Sequence, residues 1–474
     1  MRITVVPILA QISPTAVPVG VLVIDNWNDW YKYKTMYKLV IVMPGGDHKV
    51  IGDVKIGQFG MRAEQVRPSL PETFDDLGAQ FFSLGQDDSY YQNVCALGAD
   101  LSVDIFRTLR DMAYDLSIYE IAKSEDVTTE SLMRAVSDRT ITGQFHRIAH
   151  GGARLSEYYF SFIGPELPSG VASFSIDFQV EPDSRPPSNI HVLIGRNGVG
   201  KTTLLNRMAT ALINPDQITH GYFTDTPFNF TSVKIFANVV LVTFSAFDPF
   251  PPIQVNTEAN GAVRSAYIGL KRSESVTGLV GAPKMPDDLA AEFAASLKSC
   301  LQGARLDRWR KALEALESDP VFADEGITFL ASKSGEERFS KREAIDLFRG
   351  LSSGHKIVLL TITRIVETLE ERTIVLLDEP EAHLHPPLLA AFVRALSALL
   401  IERNGVAIIA THSPVVLQEV PKTCVWIIRR TGETLSYDRP DIETFAENVG
   451  TLTREVFKLE LESSGFHKMI AETV

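Results

Sequence analysis

Two short segments of the chain contain the residue types that phosphoryl chemistry needs. The first segment is Gly195-Arg196-Asn197-Gly198-Val199-Gly200-Lys201-Thr202, which matches the phosphate-loop pattern GxxxxGK[ST] at every fixed position. It follows the apolar run from Ile190 to Ile194 and continues, from Thr203, into a helical pattern. We expect residues 195–203 to bind the phosphates of ATP, with Lys201 on the β- and γ-phosphates and the Thr202 hydroxyl on Mg²⁺.

The second segment, Leu376-Leu377-Asp378-Glu379-Pro380, places two carboxylates after an apolar run. The run from Ile374 to Leu377 is typical of a parallel strand buried on both faces, and ligands bind at the carboxyl ends of such strands. The pattern predicts that Asp378 holds Mg²⁺ and that Glu379 orients and deprotonates the attacking water. An acidic pair in this position is often only a helix N-cap, but the phosphate loop favours catalysis.

Upstream of the acidic pair, Leu351-Ser352-Ser353-Gly354 precedes a helical stretch from Lys356 to Glu371. A serine hydroxyl and the N–H groups of a helix N-terminus form a second anion site. One chain has no evident use for two such sites on one nucleotide, whereas two chains packed head to tail do. We therefore predict that Ser352, Ser353 and Gly354 contact the γ-phosphate held by a second copy, in a homodimer or higher oligomer.

The combination resembles the ABC-type ATPases, whose signature usually reads Leu-Ser-Gly-Gly-Gln where this chain has Leu-Ser-Ser-Gly-His. Ser353 and His355 depart from transporter sequences and look closer to the soluble ABC ATPases of DNA repair and bacterial defence. His412, in Ala410-Thr411-His412-Ser413-Pro414, matches the switch histidine of the family. The resemblance implies that His412 contacts the γ-phosphate and responds to its loss, so that Glu379 and His412 are the two catalytic candidates.

The run from Glu379 to Pro386 extends the resemblance, which covers roughly residues 155–460. Its Glu-Pro-Glu-x-x-Leu-His-Pro pattern is similar to that of the AAA-type ATPases of the overcoming-lysogenization-defect group. That group includes the ATPase subunits of Septu- and PARIS-type antiphage systems, and in it the run follows the acidic pair and crosses the dimer interface. A less favoured alternative is a metal site made by His383 and His385 with Glu381.

One element that the family leads us to expect is weak. The glutamine that links magnesium to the helical subdomain should follow the strand from Asn238 to Thr243, but the chain reads Phe244-Ser245-Ala246-Phe247-Asp248-Pro249-Phe250 there. Ser245 and Asp248 are the two candidates for an oxygen in the metal shell, and the sequence does not choose between them.

Composition narrows the class of protein further. Hydrophobic residues make up 45% and charged residues 22% of the 474 residues, which is typical of globular domains. The three cysteines are widely spaced, and no apolar run is long enough to cross a membrane, so we expect a cytoplasmic protein without disulfides. The net charge of −13 repels nucleic acid, so DNA contact would need a local patch. The candidate patch is Arg305, Arg308, Arg310 and Lys311, which we favour as a solvated face of a helix rather than a DNA contact.

We divide the chain at about residue 150. Residues 1–150 are predicted to form an N-terminal α+β accessory region, and residues 151–474 an α/β domain with a mixed sheet flanked by helices, as in ABC-type P-loop ATPases. Residues 251–345 are predicted to be a helical insertion, whose main helix runs from Asp287 to Leu316 and carries Ser352 towards the partner. In the accessory region, Trp27, Trp30, Tyr31, Tyr33 and Tyr37 either stack single-stranded nucleic acid or, as we favour, pack a small core.

These features favour an ATP-hydrolysing dimer switch that controls a separate effector, a nuclease or a toxin, in bacterial antiphage defence. The chain has no HNH motif and ends at Val474, so we expect nuclease action from another polypeptide. The alternative is a DNA-repair or recombination ATPase that binds DNA itself. A transporter motor is disfavoured by the missing glutamine and the Glu-Pro-Glu run, and a binding module without turnover is disfavoured by the acidic pair.

Overall fold

The computed structural model describes residues 1–8, 16–25, 32–62, 64–165, 174–215, 218–225, 235–245, 263–272, 282–301, 303–332, 340–431 and 434–463. The chain separates into two compact units, Met1–Arg154 and Leu155–Val474. Each unit has its own sheets and its own hydrophobic core. Across the described ranges, every helix is too short or too polar to cross a membrane.

The first unit combines one sheet with short helices. Its described elements are, in chain order, β1 (Ile3–Val6), β2 (Val19–Ile24), β3 (Met36–Val42), β4 (His48–Gln58), β5 (Thr73–Phe74), β6 (Phe81–Gly85), α1 (Asp88–Cys95), α2 (Ala99–Thr108), α3 (Leu116–Ala122), α4 (Asp138–Thr140) and α5 (His146–Ala149). The sheet order is β5-β1-β2-β3-β4-β6, with β1 and β2 parallel and the pairs from β2 to β6 antiparallel.

Aromatic side chains pack the core of the first unit. Tyr33 and Tyr37 are buried there, together with Tyr90, Tyr91 and Phe106. The favoured interpretation of the aromatic segment as core is therefore confirmed for Tyr33 and Tyr37, whereas Trp27, Trp30 and Tyr31 lie outside the described residues.

The second unit contains the phosphate loop. Its described elements are β7 (Tyr158–Ile163), β8 (Ser175–Val180), β9 (Ile190–Ile194), α6 (Lys201–Ile213), β10 (Tyr222–Thr224), β11 (Asn238–Thr243), β12 (Arg264–Gly269), α7 (Pro286–Cys300), α8 (Gly303–Leu316), α9 (Pro320–Asp324), α10 (Phe329–Ser332), α11 (Lys341–Gly350), α12 (Ser353–Thr368), β13 (Thr373–Asp378), α13 (Pro386–Glu402), β14 (Val406–Thr411), α14 (Pro414–Leu417), β15 (Val425–Thr431), β16 (Thr434–Asp438) and α15 (Val449–Ser463).

A seven-stranded mixed sheet forms the centre of this unit, in the order β12-β11-β13-β14-β9-β15-β16. Every neighbouring pair is parallel except the hairpin of β15 and β16. A second, three-stranded antiparallel sheet has the order β10-β7-β8. The predicted α/β fold class, a mixed sheet flanked by helices, is confirmed.

Helices cover both faces of the large sheet, which explains why its central strands are apolar throughout. On one face, Leu205 and Met208 of α6 pack with Leu376 of β13. On the other face, α12 and α13 pack against Val375 and Leu377 of the same strand. Because alternate residues of a strand point to opposite faces, a continuous apolar run is required.

The strand register brings four carboxyl ends to one edge of the sheet. Thr243 at the end of β11 is paired with Asp378 of β13, and Asp378 is paired with Ala410 of β14. Thr411 is in turn paired with Ile194, the last residue of β9 before the phosphate loop. The loop, the acidic pair and His412 therefore start from adjacent strands, although they are far apart in the sequence.

Several predicted helices have different limits in the structure. The helix expected from Asp287 to Leu316 is two helices, α7 and α8, and residue 302 between them lies outside the described residues. The helix that follows the signature begins at Ser353, because the Ser352 side chain caps its first turn. The amphipathic pattern alone does not locate such breaks and caps.

Candidate nucleotide site

The phosphate loop joins β9 to α6 by a turn that needs glycine. Gly198 and Gly200 have φ values of 80° and 102°, and open space lies where a side chain would start at either position. A Cβ on Gly195 would lie 2.4 Å from the carbonyl oxygen of Ile428, so the loop packs directly on the backbone of β15. Arg196 and Asn197 form the exposed rim of the loop, and Val199 is buried beneath it.

Lys201 is folded back onto its own loop. Its Nζ donates hydrogen bonds to the carbonyl oxygens of Gly195, at 2.9 Å, and of Arg196, at 3.0 Å. Burial lowers the pKa of the Lys201 ammonium, and the nearby carboxylates of Glu379, Glu381 and Asp378 act in the opposite direction. A buried ammonium held by carbonyl oxygens is a ready partner for a phosphate group.

Oxygen donors suited to magnesium meet at the end of β13. The Thr202 hydroxyl donates to Oδ2 of Asp378 at 2.9 Å, and the Asp378 side chain is almost fully buried. Thr243, paired with Asp378 across the sheet, is also buried, and its hydroxyl has no hydrogen-bond partner within the described ranges. Hydroxyl and carboxylate oxygens are the ligands that Mg²⁺ prefers, so these residues fit the ion.

Glu379 is held in a backbone conformation that non-glycine residues rarely adopt. Its φ and ψ are 44° and 57°, and its N–H donates to the carbonyl oxygen of Ala410 at 2.9 Å. Such strain costs about 1–3 kcal/mol and is concentrated at functional sites. The carboxylate lies 3.8 Å from Lys201 Nζ and 3.8 Å from His412 Nδ1.

Glu381 holds His412, a role that the sequence analysis missed. Its Oε1 accepts hydrogen bonds from the Thr411 hydroxyl and from the His412 N–H, both at 2.7 Å, and lies 3.0 Å from His412 Nδ1. The sequence analysis considered Glu381 only as a metal ligand. The available signal was the Glu-Pro-Glu spacing, because a second carboxylate two residues after Glu379 can reach the neighbouring strand end.

The signature residues lie at the start of α12. Ser352 and Ser353 are exposed, and the Ser352 hydroxyl accepts a hydrogen bond from the His355 N–H at 3.3 Å. Gly354 is buried, and a Cβ there would lie 2.8 Å from the carbonyl oxygen of His383. Within one chain, the start of α12 therefore contacts the 3₁₀ turn Pro380–His383 that follows Glu379.

Two secondary expectations have different outcomes. Of the two candidates for the missing glutamine, Ser245 lies two residues after the end of β11, and Asp248 lies outside the described residues. The three side chains of the alternative metal site do not converge among the described residues: Glu381 lies 3.0 Å from His412 Nδ1, and His383 Nε2 lies 3.4 Å from the carbonyl oxygen of Phe244.

The basic patch of the insertion is partly buried and partly paired with acidic side chains. Arg308 is buried. Arg310 lies 3.3 Å from Asp307, and Lys311 lies 3.0 Å from Glu402. Pairing of this kind reduces the positive field that would attract a phosphate backbone.

Comparison with known proteins assigns the chain to a family. It is 41% identical to Protein ea59 of Escherichia phage lambda, over 95% of this chain and 88% of that protein. The chain belongs to the ea59 family. Residues 305–418 of the present chain, a member of the ea59 family, also match the family model described as "AAA domain, putative AbiEii toxin, Type IV TA system". That match contains the signature segment, the acidic pair and His412.

Solved structures that resemble this ea59-family chain include ATP-binding cassettes of ABC transporters. One is 12% identical, with a TM-score of 0.34, over 67% of this chain and 99% of that one. Another, cbiO1 from Clostridium perfringens, is 16% identical, with a TM-score of 0.28, over 56% of this chain and 82% of that one. The second unit has the mixed sheet, and the phosphate loop between β9 and α6, of a P-loop ATPase fold, and residues 305–418 within it match the AAA model.

Proposed function

We propose that the chain hydrolyses ATP to ADP and phosphate between two copies of itself, and that its nucleotide state controls a separate effector. The observation that carries the proposal is the convergence of Lys201, Thr202, Asp378, Glu379 and His412 at one edge of the sheet. In this proposal residues 151–474 are the ATPase domain, with residues 251–345 as its helical insertion and residues 1–150 as an accessory region.

Each residue has a defined role in the proposed reaction. Residues 195–203 hold the triphosphate, and Lys201 moves from its own loop carbonyls to the β- and γ-phosphates. Glu379 accepts a proton from the water whose oxygen attacks the γ-phosphorus, while the bond from phosphorus to the ADP oxygen breaks. Thr202 and Asp378 would hold magnesium, whose positive charge would offset the negative charge of the phosphates. His412, fixed by Glu381, contacts the γ-phosphate and loses that contact after hydrolysis.

The exposed serines support a shared site between two copies. Ser352 and Ser353 lie at the surface, where the positive end of the α12 dipole faces solvent. A second copy packed head to tail would present this helix start to the γ-phosphate. ATP would then hold the dimer together, and hydrolysis would release it.

The decisive experiment uses Glu379→Gln, which keeps the shape of the side chain but cannot accept a proton. We expect turnover to fall by about 10²–10⁴-fold, since general-base catalysis contributes that much. ATP binding should persist, and an ATP-dependent dimer should accumulate in size-exclusion chromatography with light scattering. Glu314→Gln, an exposed change on α8, is the matched control and should behave as the parent. Unchanged hydrolysis by Glu379→Gln would refute the proposed base.

The proposed biological role is antiphage defence through a nuclease or toxin. The similarity of the run Glu379–Pro386 to the ATPases of Septu- and PARIS-type systems supports it. Because the relative is itself a phage protein, the test should challenge cells with unrelated phages, comparing the parental locus with Glu379→Gln. Equal plaque formation with and without the parental locus would exclude defence. Salt-sensitive stimulation of the purified chain by DNA would instead support a DNA-repair ATPase.

A further inference from the structure

Three side chains from separate segments of the second unit converge at the start of α12, the helix that follows the signature segment 351–354. Asp319 caps α9, His355 lies in the first turn of α12, and His385 caps α13. One potential ligand atom from each lies within 4.8 Å of the other two. Oδ2 of Asp319 is 3.6 Å from Nε2 of His385. None of these three residues has a role in the proposed ATP reaction.

The group is buried on the side of Asp319 and His355. The Asp319 side chain is 1% exposed, and its Oδ1 accepts a hydrogen bond from the Phe322 N–H at 2.9 Å. His355 is 3% exposed, its ring stands edge-on to Phe322, and its Nδ1 makes no hydrogen bond within the described part of the chain. A buried carboxylate close to a buried imidazole nitrogen that makes no hydrogen bond is unfavourable, unless a cation or a proton lies between the two groups.

We propose that Asp319, His355 and His385 bind one divalent transition-metal ion of the zinc class. Imidazole and carboxylate ligands suit zinc, and ligand bonds of about 2.0–2.2 Å require ligand atoms roughly 3.4 Å apart. The separation of 3.6 Å between Asp319 and His385 already approaches this value. Glu325, whose Oε1 lies 3.5 Å from His355 Nδ1, can supply a fourth ligand.

The ring of His385 can complete the geometry. Its side chain is 46% exposed, and the hydrogen bond that its Nδ1 accepts from the Leu388 N–H is long, at 3.4 Å. A metal on Nε2 places the proton on Nδ1, so only this weak bond is given up. The bound ion would fasten the start of α12, where His355 donates to Ser352, to the segment that follows Glu379. It would thereby fix the position of the proposed γ-phosphate contact.

The test is Co²⁺ and Zn²⁺ binding to the full chain after removal of metals with a chelator. Excess Mg²⁺ keeps the oxygen ligands around Thr202 and Asp378 occupied, while imidazole ligands retain the transition metal. We expect one ion per chain, with the visible absorption of cobalt bound to nitrogen. Because loss of a supporting partner already lowers metal affinity about 10–100-fold, loss of a ligand in His385→Ala or His355→Gln should lower it at least about tenfold.

His383→Ala is the matched control, since it removes a histidine two residues from His385 that lies outside the group, and its affinity should equal that of the parent. His385→Ala removes an exposed ring, and Asp319→Asn keeps an N-capping side chain, so folding can be verified by circular dichroism for each. The proposal is overturned if the folded parent binds neither ion more tightly than Asp319→Asn and His385→Ala do. It is equally overturned if only His383→Ala abolishes binding.

Discussion

The carboxylate of Glu381 lies 3.0 Å from Nδ1 of His412 and also accepts the His412 backbone N–H. Both the ring and the backbone of the proposed γ-phosphate contact therefore depend on one side chain, which is itself 7% exposed. This arrangement makes Glu381 a positioning residue that acts through His412.

Removal of the Glu381 carboxylate should slow ATP turnover. A hydrogen bond to a charged group is worth about 1.5–3 kcal/mol, so Glu381→Ala should reduce kcat by about 10–100-fold. If Glu381 acts only through His412, the double variant with His412→Ala should be no slower than His412→Ala alone. Glu419→Ala, which breaks the Arg394 ion pair outside the site, should leave kcat unchanged. Additive losses in the double variant would contradict this role.

Ser352→Asp separates helix capping from phosphate contact. Aspartate caps a helix about as well as serine, so the free energy of unfolding should change by no more than about 0.5 kcal/mol. A negative charge facing the γ-phosphate is repulsive by several kcal/mol in close contacts, and turnover and ATP-dependent dimerisation should fall at least about tenfold. Ser340→Asp makes the same exchange at the cap of α11 and should leave both unchanged. Equal activity of both variants would remove Ser352 from the site.

Because Glu379 has a left-handed backbone conformation, we expect the glycine variant at this position to be more stable than the alanine variant, the reverse of the usual order. A residue with a Cβ pays about 1–2 kcal/mol in this conformation, so Glu379→Gly should be about 1 kcal/mol more stable than Glu379→Ala. At Glu381, in the neighbouring 3₁₀ turn, alanine should be the more stable by about 0.5–1 kcal/mol. Urea unfolding of the four variants measures both differences. A more stable Glu379→Ala would show that the backbone at Glu379 is not strained.

Asp111 should make the stability of the first unit depend on pH. Burial raises its pKa to about 6, although hydrogen bonds from Tyr114, Tyr91 and Ala113 oppose the rise. Because the folded state binds this proton more tightly than the unfolded state, stabilisation present below about pH 4 is lost as the pH rises through 6, by up to about 3 kcal/mol. The stability of Asp111→Asn relative to the parent should therefore increase from pH 4 to 6 and then remain constant.

Hydrogen exchange of peptides from residues 1–154 measures this effect separately from the second unit. Asp115→Asn is the control, because a hydrogen bond from Ser117 lowers the pKa of Asp115, so the stability that its charge contributes is complete above pH 4. If the difference in stability between Asp111→Asn and the parent did not change between pH 4 and 6, the raised pKa of Asp111 would be contradicted.

The sequence predicted the parts of the site that depend on strand ends. Apolar runs mark β9, β11, β13 and β14, and parallel pairing forces the residues that follow them to one edge. Glu381 and the pair of His355 and Asp319 were missed because they depend on how a 3₁₀ turn and the insertion fold back on the signature helix. Such contacts produce no periodic pattern of residues in the sequence. The break between α7 and α8 was missed for the same reason, since the apolar stripe continues across it.

The hydrogen bonds of Lys201 to its own loop have a consequence for ligand discrimination. An incoming molecule must displace two carbonyl oxygens that already satisfy the ammonium, so binding is an exchange of partners. We therefore expect a ligand whose phosphate oxygens replace both carbonyls to bind more tightly than one that replaces only one of them.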